Sequence, residues 1–375
     1  MQMSVDPIAL ARDLINCASV TPARGEVFDV LEAALTPLGF TVHRFVLGEP
    51  PDGPTENMVA IRGEGGAHFG FAGHLDVVPP GDGWATNPFE TVIENGILAG
   101  RGAVDMKSAI AAFVAAASRV DASGTTSLLI TGDEEGYATY GTPRIIDWLK
   151  ERSIKPDMIL IGEPTSVDRL GDTVKIGRRG SVNMWIDVPG TQGHVAYPHR
   201  ADNPIPKLAG VVEALSAVHL DDGTDAFPPS NLEFTAVSTP TQASNVIPAS
   251  GTAQLNIRFN DLQRGSDLVR MVEEIAEREA PDSVVRARIS GEAFLTPPGQ
   301  LYDVIVAAIE EETGITPELS TSGGTSDGRF LIELCPVVDF GLPNATMHKL
   351  DEAAAVEDIH ALSRIYERIL RKVAA

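Results

Sequence analysis

The stretch HFGFAGHLDVVP at residues 68–79 joins a short apolar run to a histidine and an aspartate. His68–Gly73 is typical of a buried strand. His74 and Asp76 follow it two positions apart, so both side chains can face the same side. Because ligands of open α/β sheets bind beyond the carboxyl ends of the strands, this stretch predicts an α/β fold with its functional groups at strand ends.

The first half of the chain repeats this alternation of apolar runs and helical patterns. Continuous apolar strands separated by helices are typical of a sheet covered by helices on both faces. We predict further strands at residues 58–62, 127–131 and 158–161, an amphipathic helix at 107–120 and another helix at 145–151.

The pattern changes near Gly177. Polar and apolar residues alternate from Ser181 to Val188, and the predicted elements that follow give the order β-α-β-β-α-β, a ferredoxin-like arrangement. We predict that residues 178–292 form a small domain inserted into a larger one, made of residues 1–177 and 293–375. After the insertion we predict a helix at 304–313, a strand at 337–340 and a long final helix at 353–373.

Composition favours a soluble enzyme or binding protein of the cytoplasm. The 375 residues include 52 acidic and 29 basic side chains, a formal charge of −23, which disfavours nucleic acid and anionic membranes as partners. No apolar run approaches the ~20 residues that span a bilayer. Two cysteines, Cys17 and Cys335, suggest no disulfide framework, and the N-terminus lacks the apolar region of a signal peptide.

Five short segments concentrate acids and histidines at predicted strand ends and helix starts. Besides His74 and Asp76, these segments hold Asp105 in GRGAVDMK, Glu134 and Glu135 in DEEG, Glu163 in GEPT and His348 in NATMHK. Imidazole and carboxylate groups suit zinc, and such a set also accepts manganese or cobalt. Two metal ions about 3.5–4 Å apart can share one carboxylate.

Two histidines and three acids would supply a two-metal site, leaving a further acid to accept a proton from water. Asp76 would bond the far nitrogen of His74 and so fix its tautomer. Taken singly, Asp105 is also explained as a helix cap, and the Glu134–Glu135 pair as surface charge. The joint pattern is what favours a metal site.

In these motifs the chain resembles the M20 family of metallopeptidases and deacylases, from about residue 5 to about residue 370. Four further stretches resemble its desuccinylases: GRRGS at 177–181, GHVAYPHRADNP at 193–204, SNVIP at 244–248 and SGGTSDGRF at 322–330. The family's fold is a zinc-peptidase-like catalytic domain with an inserted lid and dimerisation domain, which implies a homodimer. The aromatic stretch Tyr137–Tyr140 after DEEG departs from the family pattern.

The resemblance also implies a role for each residue of the site. His74 and Glu163 would bind one zinc ion, Glu135 and His348 would bind the other, and Asp105 would bridge them. Glu134 would be the general base, and Asp76 would orient His74. The implied cofactor is two Zn²⁺ per subunit, with Co²⁺ or Mn²⁺ as an alternative in the second site.

The implied substrate is a small anionic N-acyl amino acid. Its carboxylates would be held by Arg178 and Arg258, and His194 of the partner subunit would stabilise the oxyanion. Further hydrogen bonds would come from Ser181, Tyr197, Asn245, Gly324, Thr325 and Asn344. Arginine grips carboxylates through two parallel hydrogen bonds, and the neighbouring Arg179 leaves open which guanidinium makes the main contact. A single arginine in so acidic a chain is better explained by a surface ion pair, and it is the presence of three near the domain junction that favours anion recognition.

The activity implied is hydrolysis of N-succinyl-LL-2,6-diaminopimelate to succinate and LL-2,6-diaminopimelate, a step of lysine and diaminopimelate biosynthesis. Acetylornithine deacetylases and dipeptidases of the family share the metal ligands and stay open as alternatives. A binding protein on the same scaffold would lack a ligand or the base, whereas every expected position is filled here. A serine hydrolase is not expected, because no G-x-S-x-G elbow is recognised, and phosphate-loop and dinucleotide-binding fingerprints are missing.

Overall fold

The computed structural model describes residues 4–121, 124–241 and 243–373. They form two compact units. The first contains the described residues up to Ile176, Thr296–Ser320 and those from Ser326 onward, and the second contains Gly177–Leu295 and Thr321–Thr325.

The helices are α1 (Pro7–Asn16), α2 (Glu26–Leu35), α3 (Lys107–Ser118), α4 (Thr142–Glu151), α5 (Pro204–Ser216), α6 (Gly265–Glu279), α7 (Gln300–Thr313), α8 (Gly328–Leu331) and α9 (Val356–Val373). The strands are β1 (Thr41–Leu47), β2 (Thr55–Arg62), β3 (His68–His74), β4 (Val92–Glu94), β5 (Ile97–Ala99), β6 (Thr125–Thr131), β7 (Met158–Ile161), β8 (Thr173–Lys175), β9 (Gly177–Arg178), β10 (Gly180–Pro189), β11 (Gly193–His194), β12 (Asn231–Ser238), β13 (Val246–Ile247), β14 (Ser250–Phe259), β15 (Val284–Gly291), β16 (Phe294–Leu295), β17 (Glu318–Ser320), β18 (Val337–Asp339) and β19 (Ala353–Ala355).

The first unit is built on an eight-stranded sheet in the order β1-β2-β6-β3-β7-β18-β8-β17. Its central strands β6, β3, β7 and β18 are mutually parallel. Their carboxyl ends therefore meet at one edge of the sheet. The loops that leave β3, β6, β7 and β18 at this edge carry most of the acids and histidines singled out by sequence.

Helices cover both faces of this sheet, as predicted. Side chains such as Met58 and Leu128 join one core cluster with α1, α3, α7 and α9, while their neighbours Val59 and Leu129 join a second cluster with α4 and α8. This alternation follows from the two-residue period of a strand. The fold class, an α/β sheet protein with helices on both faces, is confirmed.

Two helix predictions were wrong in detail. Every residue of α3 is buried, so the helix is not amphipathic. It is buried on all sides because its alanines let it pack closely against α1, α9 and β3. The last helix begins at Val356 rather than at residue 353, because Ala353–Ala355 pairs as β19 with β5. None of the helices in the described ranges has an apolar stretch long enough to cross a membrane.

The second unit has the element order β-α-β-β-α-β in its main sheet, with two short strands in the connections. Strands β12, β14, β10 and β15 form this antiparallel sheet in that order. Side chains of β10 and β14 pack with α5 and α6 in a separate core that includes Ile186, Leu255, Leu208 and Val272. This strand order is that of a ferredoxin-like arrangement.

Candidate metal centre

Two histidines and two acids surround the carboxylate of Asp105. His74, the last residue of β3, places Nε2 3.0 Å from Asp105 Oδ1 and 3.7 Å from Glu163 Oε1. His348 places Nε2 3.3 Å from Asp105 Oδ2 and 2.9 Å from Glu135 Oε1. The two oxygens of Asp105 therefore face different imidazoles, the placement expected of a carboxylate shared by two metal ions.

The donor atoms are close enough to hold cations. Ligand atoms of His74, Asp105 and Glu135 lie within 4.8 Å of one another, and so do those of His74, Glu134 and Glu163. His74 and Asp105 are buried, and burying several carboxylates together costs free energy unless positive charge accompanies them. Nitrogen and carboxylate oxygen donors of this kind fit a pair of divalent cations such as zinc.

The pKa values of the histidines reflect this concentration of negative charge. Hydrogen bonds to Asp105, and then to Glu135, raise the pKa of His348 to about 10. Burial alone would lower the pKa of His74, but the hydrogen bond and charge of Asp105 raise it well above its usual value. In the metal-free chain both imidazoles therefore hold protons at neutral pH, in the place that cations would take.

Asp76 acts through its main chain as well as its side chain. Its carbonyl oxygen lies 2.9 Å from His74 Nδ1, while its carboxylate is 3.6 Å away. The carboxylate instead accepts the N–H groups of Glu134 and Glu135, at 3.2 and 3.0 Å. The predicted carboxylate–histidine bond is thus replaced by a carbonyl contact, because the carboxylate is engaged with the N–H groups of Glu134 and Glu135.

The carboxylate of Glu134 lies close to His74 and Glu163. Among the described residues it forms no hydrogen bond with His348, which contacts Glu135 instead. Burial, and after it the negative charge of Asp327, raises the pKa of Glu134 above its ordinary value. A carboxylate with a raised pKa is suited to taking a proton and returning it. Asp327 was not singled out by sequence as a functional residue. Its carboxylate accepts a 2.6 Å hydrogen bond from Thr142, which fixes it in the loop before α8.

The predicted carboxylate-binding residues of the second unit lie in two groups. In the first, buried Arg178 donates from Nη1 to the carbonyl of Gly324 at 3.0 Å, with Thr325 next in the chain. Ser181 and Arg258 are register partners on β10 and β14. Five of the predicted residues are therefore near one end of this unit's sheet.

Arg179 also belongs to this first group. It donates from Nη1 to Asn231 Oδ1 at 3.0 Å. Burial, and then the positive charge of Arg179, lowers the pKa of Arg258. Two guanidinium groups in electrostatic contact are positioned to bind an anion, so both remain candidates beside Arg178.

The second group surrounds the two-stranded ribbon β11–β13. The ring of exposed His194 lies 5.9 Å from that of Tyr197, and its Nδ1 accepts the N–H of Ala196 at 3.0 Å. The carbonyl of Asn245 accepts the N–H of Val195 on the facing segment. Asn344 lies in the first unit, where its N–H donates to the carbonyl of Ser166 at 3.0 Å.

The sequence GTSDG at residues 324–328 matches the G-x-S-x-G pattern of serine hydrolases, which sequence reasoning overlooked. Ser326 is buried, and its hydroxyl donates to Asp339 Oδ2 at 2.9 Å. Among the residues that the structure describes, no histidine forms a hydrogen bond with that hydroxyl. Ser326 therefore lacks the base that a nucleophilic serine requires.

The profile of peptidase family M20/M25/M40 matches residues 70–372. The chain belongs to this family. Sequence motifs predicted this membership, and the match confirms it.

Two relatives agree with this membership, and one solved structure shares the fold. It is 63% identical over 376 residues to the succinyl-diaminopimelate desuccinylase of Sphingopyxis alaskensis, covering 100% of both chains. It is also 63% identical over 372 residues to that of Rhizorhabdus wittichii, covering 99% of each. The crystal structure of the Bacillus subtilis YXEP protein, described as a dinuclear metal binding peptidase from the M20 family, matches with a TM-score of 0.71. Its identity is 16%, and the match covers 97% of this chain and 96% of that one.

Metal binding should release protons. Since the pKa of His348 is raised to about 10 and that of His74 is raised well above its usual value, each ring must lose its proton to become a ligand. Calorimetric zinc titrations at pH 7.5 in buffers of different ionisation enthalpy should show about one proton released per metal ion bound. Apparent affinity should rise with pH, and heats that are independent of the buffer would contradict this protonation state.

Proposed function

We propose that this chain is a metal-dependent amide hydrolase that converts N-succinyl-LL-2,6-diaminopimelate to succinate and LL-2,6-diaminopimelate. The convergence of His74, Glu163, Glu135 and His348 around Asp105 is the observation that carries the hydrolytic chemistry. The choice of substrate is supported by full-length relatives that bear the name of this desuccinylase. The product belongs to lysine and diaminopimelate biosynthesis, and both cysteines are free, which fits the predicted cytoplasmic location.

The proposed cofactor is a pair of zinc ions, one held by His74 and Glu163 and the other by Glu135 and His348, with Asp105 shared. Bound there, the cations would polarise the amide carbonyl and acidify the attacking water. Zinc is favoured by the mixture of imidazole and carboxylate donors. Cobalt and manganese accept the same donor types, so we propose them as substitutes in the second site.

Glu134 is the proposed proton carrier. Its carboxylate takes a proton from the attacking water and then delivers it to the nitrogen of the leaving amine, acting first as a base and then as an acid. The bond from the Glu134 N–H to Asp76 fixes where that carboxylate can reach. His194 of the partner subunit is proposed to donate a hydrogen bond to the oxyanion of the tetrahedral intermediate.

The succinyl group gives this substrate a carboxylate at its acyl end, in addition to the carboxylates of the amino acid. We propose that Arg178 and Arg258 bind these carboxylates. The electrostatic contact between Arg179 and Arg258, in a chain with 52 acids, supports an anion-binding role. Further hydrogen bonds are proposed from Ser181, Tyr197, Asn245, Gly324, Thr325 and Asn344.

The second unit is also the proposed lid and dimerisation domain. Its edge strand β12 can pair with another chain, because an edge strand has unpaired backbone groups. Val237 on this strand and Ile205 are exposed, and they line an apolar groove with Leu208 and Val212.

Sedimentation of the full chain should give a dimer at micromolar concentration, and Val237→Asp should shift the equilibrium toward monomer. A wild-type monomer would exclude this assembly.

Comparison of two acylated substrates tests the proposed activity. N-succinyl-LL-2,6-diaminopimelate should be hydrolysed with a kcat/KM at least about 100-fold above that for N-acetylornithine, because the acetyl group lacks the carboxylate that arginines would bind. Chelator should abolish the activity and added zinc should restore it. Faster hydrolysis of acetylornithine would favour the sister deacetylase, and activity that resists metal removal would refute the proposed chemistry.

Glu134→Gln tests the proton carrier. The amide cannot accept the proton, so kcat should fall by about 10²–10⁴-fold while zinc content stays near that of the wild type. The exposed acid Glu64 offers a matched control, since Glu64→Gln makes the same chemical change on the surface of the same unit. Near-normal turnover by a metal-loaded Glu134→Gln variant would assign the base elsewhere.

A further inference from the structure

Glu352 is a buried acid whose carboxylate accepts four hydrogen bonds. Oε1 accepts the N–H groups of Val104 at 2.7 Å and Asp105 at 3.0 Å. Oε2 accepts the N–H of Gly102 at 3.1 Å and Nη1 of Arg101 at 2.8 Å. Three backbone N–H groups from residues 102–105 and one guanidinium therefore converge on a single buried side chain.

These bonds fix the loop that carries the proposed bridging carboxylate. The loop before α3 has no strand partner for its N–H groups, and buried backbone donors need acceptors. Glu352 supplies them, and bonds to an ionised acceptor are about twice as strong as neutral ones. Because the bond to the Asp105 N–H is one of the four, the main chain of Asp105 is held directly.

Glu352 is also four residues beyond His348. The turn between them is closed by Thr346, whose hydroxyl donates to the carbonyl of Ala353 at 2.9 Å and accepts its N–H at 3.1 Å. His348 and Asp351 have φ angles of 60° and 53°, in the left-handed region that non-glycine residues rarely adopt. Contacts at the end of this turn must therefore hold His348 in place.

The proposed ligands thus differ in how they are anchored. His74 ends β3 and Glu163 follows β7 after one residue, so the central sheet positions both. Asp105 and His348 lie on irregular segments that are far apart in sequence, and Glu352 connects those two segments. Loss of this connection should disturb the site of His348 more than the site of His74.

We infer that Glu352 is a positioning residue that sets the affinity of the second metal site, formed by Glu135, His348 and the shared Asp105. This inference rests on the proposed two-metal function. Glu352 touches neither substrate nor metal ligand atoms, and it acts through the backbone of Asp105 and the turn that carries His348.

The test is to titrate the full-length Glu352→Gln variant with Co²⁺. Binding is monitored by visible absorption and by calorimetry. The amide keeps one acceptor oxygen, so two of the four donors lose their partner. The wild type should bind two Co²⁺ ions. The variant should bind the first with an affinity within about threefold of wild type and the second about 10–100-fold more weakly, the usual effect of losing a group that orients ligands. Turnover should recover as the Co²⁺ concentration is raised.

Three further variants make the result decisive. Glu367→Gln removes an acid of α9 that pairs with Arg119, and this variant should bind two ions as the wild type does. Arg101→Met combined with Glu352→Gln should keep the weak second site, because removing the guanidinium gives no acceptor back to a loop N–H group that the amide can no longer serve. Glu352→Asp keeps both carboxylate oxygens and should fall between wild type and Glu352→Gln.

Two outcomes would overturn the inference. If Glu352→Gln binds both ions with wild-type affinity, Glu352 has no role in the second site. If Glu352→Gln and Glu352→Asp lose both sites equally, Glu352 supports the unit as a whole rather than one site. A wild-type chain that binds fewer than two ions would instead overturn the proposed function, and the inference with it.

Discussion

The carboxylate of Asp105 between two imidazoles is the contact on which the rest of the site depends. His74 and His348 approach different oxygens of this one group, so each histidine becomes part of a separate cluster of ligands that shares Asp105. The acids around it could not be buried together without positive charge. Protons on the histidines supply that charge in the metal-free chain, and divalent cations would supply more of it when bound.

The parallel strands explain how groups so distant in sequence come together. β3, β6, β7 and β18 end at one edge of the sheet, which gathers His74, Glu134, Glu135 and Glu163 within a few residues of those ends. Around them is a second set of groups, Asp76 and Glu352, that accept backbone N–H groups and so hold the loops. The sheet therefore places the strand ends, and the two buried acids hold the loops beside them.

Much of this arrangement was accessible from sequence, for a physical reason. Strand ends are local features, marked by an apolar run that stops at a polar residue, and His74, Glu134, Glu135 and Glu163 were found in that way. Asp105 was found at the start of a helix and His348 in a loop after a strand. The carbonyl contact of Asp76 and the four bonds of Glu352 were not found, because they depend on which backbone groups lack a partner after folding. The start of α9 was missed because pairing of Ala353–Ala355 with β5 overrides the helix propensity of alanine.

Diffraction at the zinc absorption edge, from crystals of the zinc-loaded chain, tests the central claim most directly. The account predicts two anomalous peaks about 3.5–4 Å apart, with the carboxylate of Asp105 touching both. One peak should lie beside His74 and Glu163, and the other beside Glu135 and His348. Zinc bound away from Asp105, or a cluster that stays empty in the presence of saturating zinc, would contradict it.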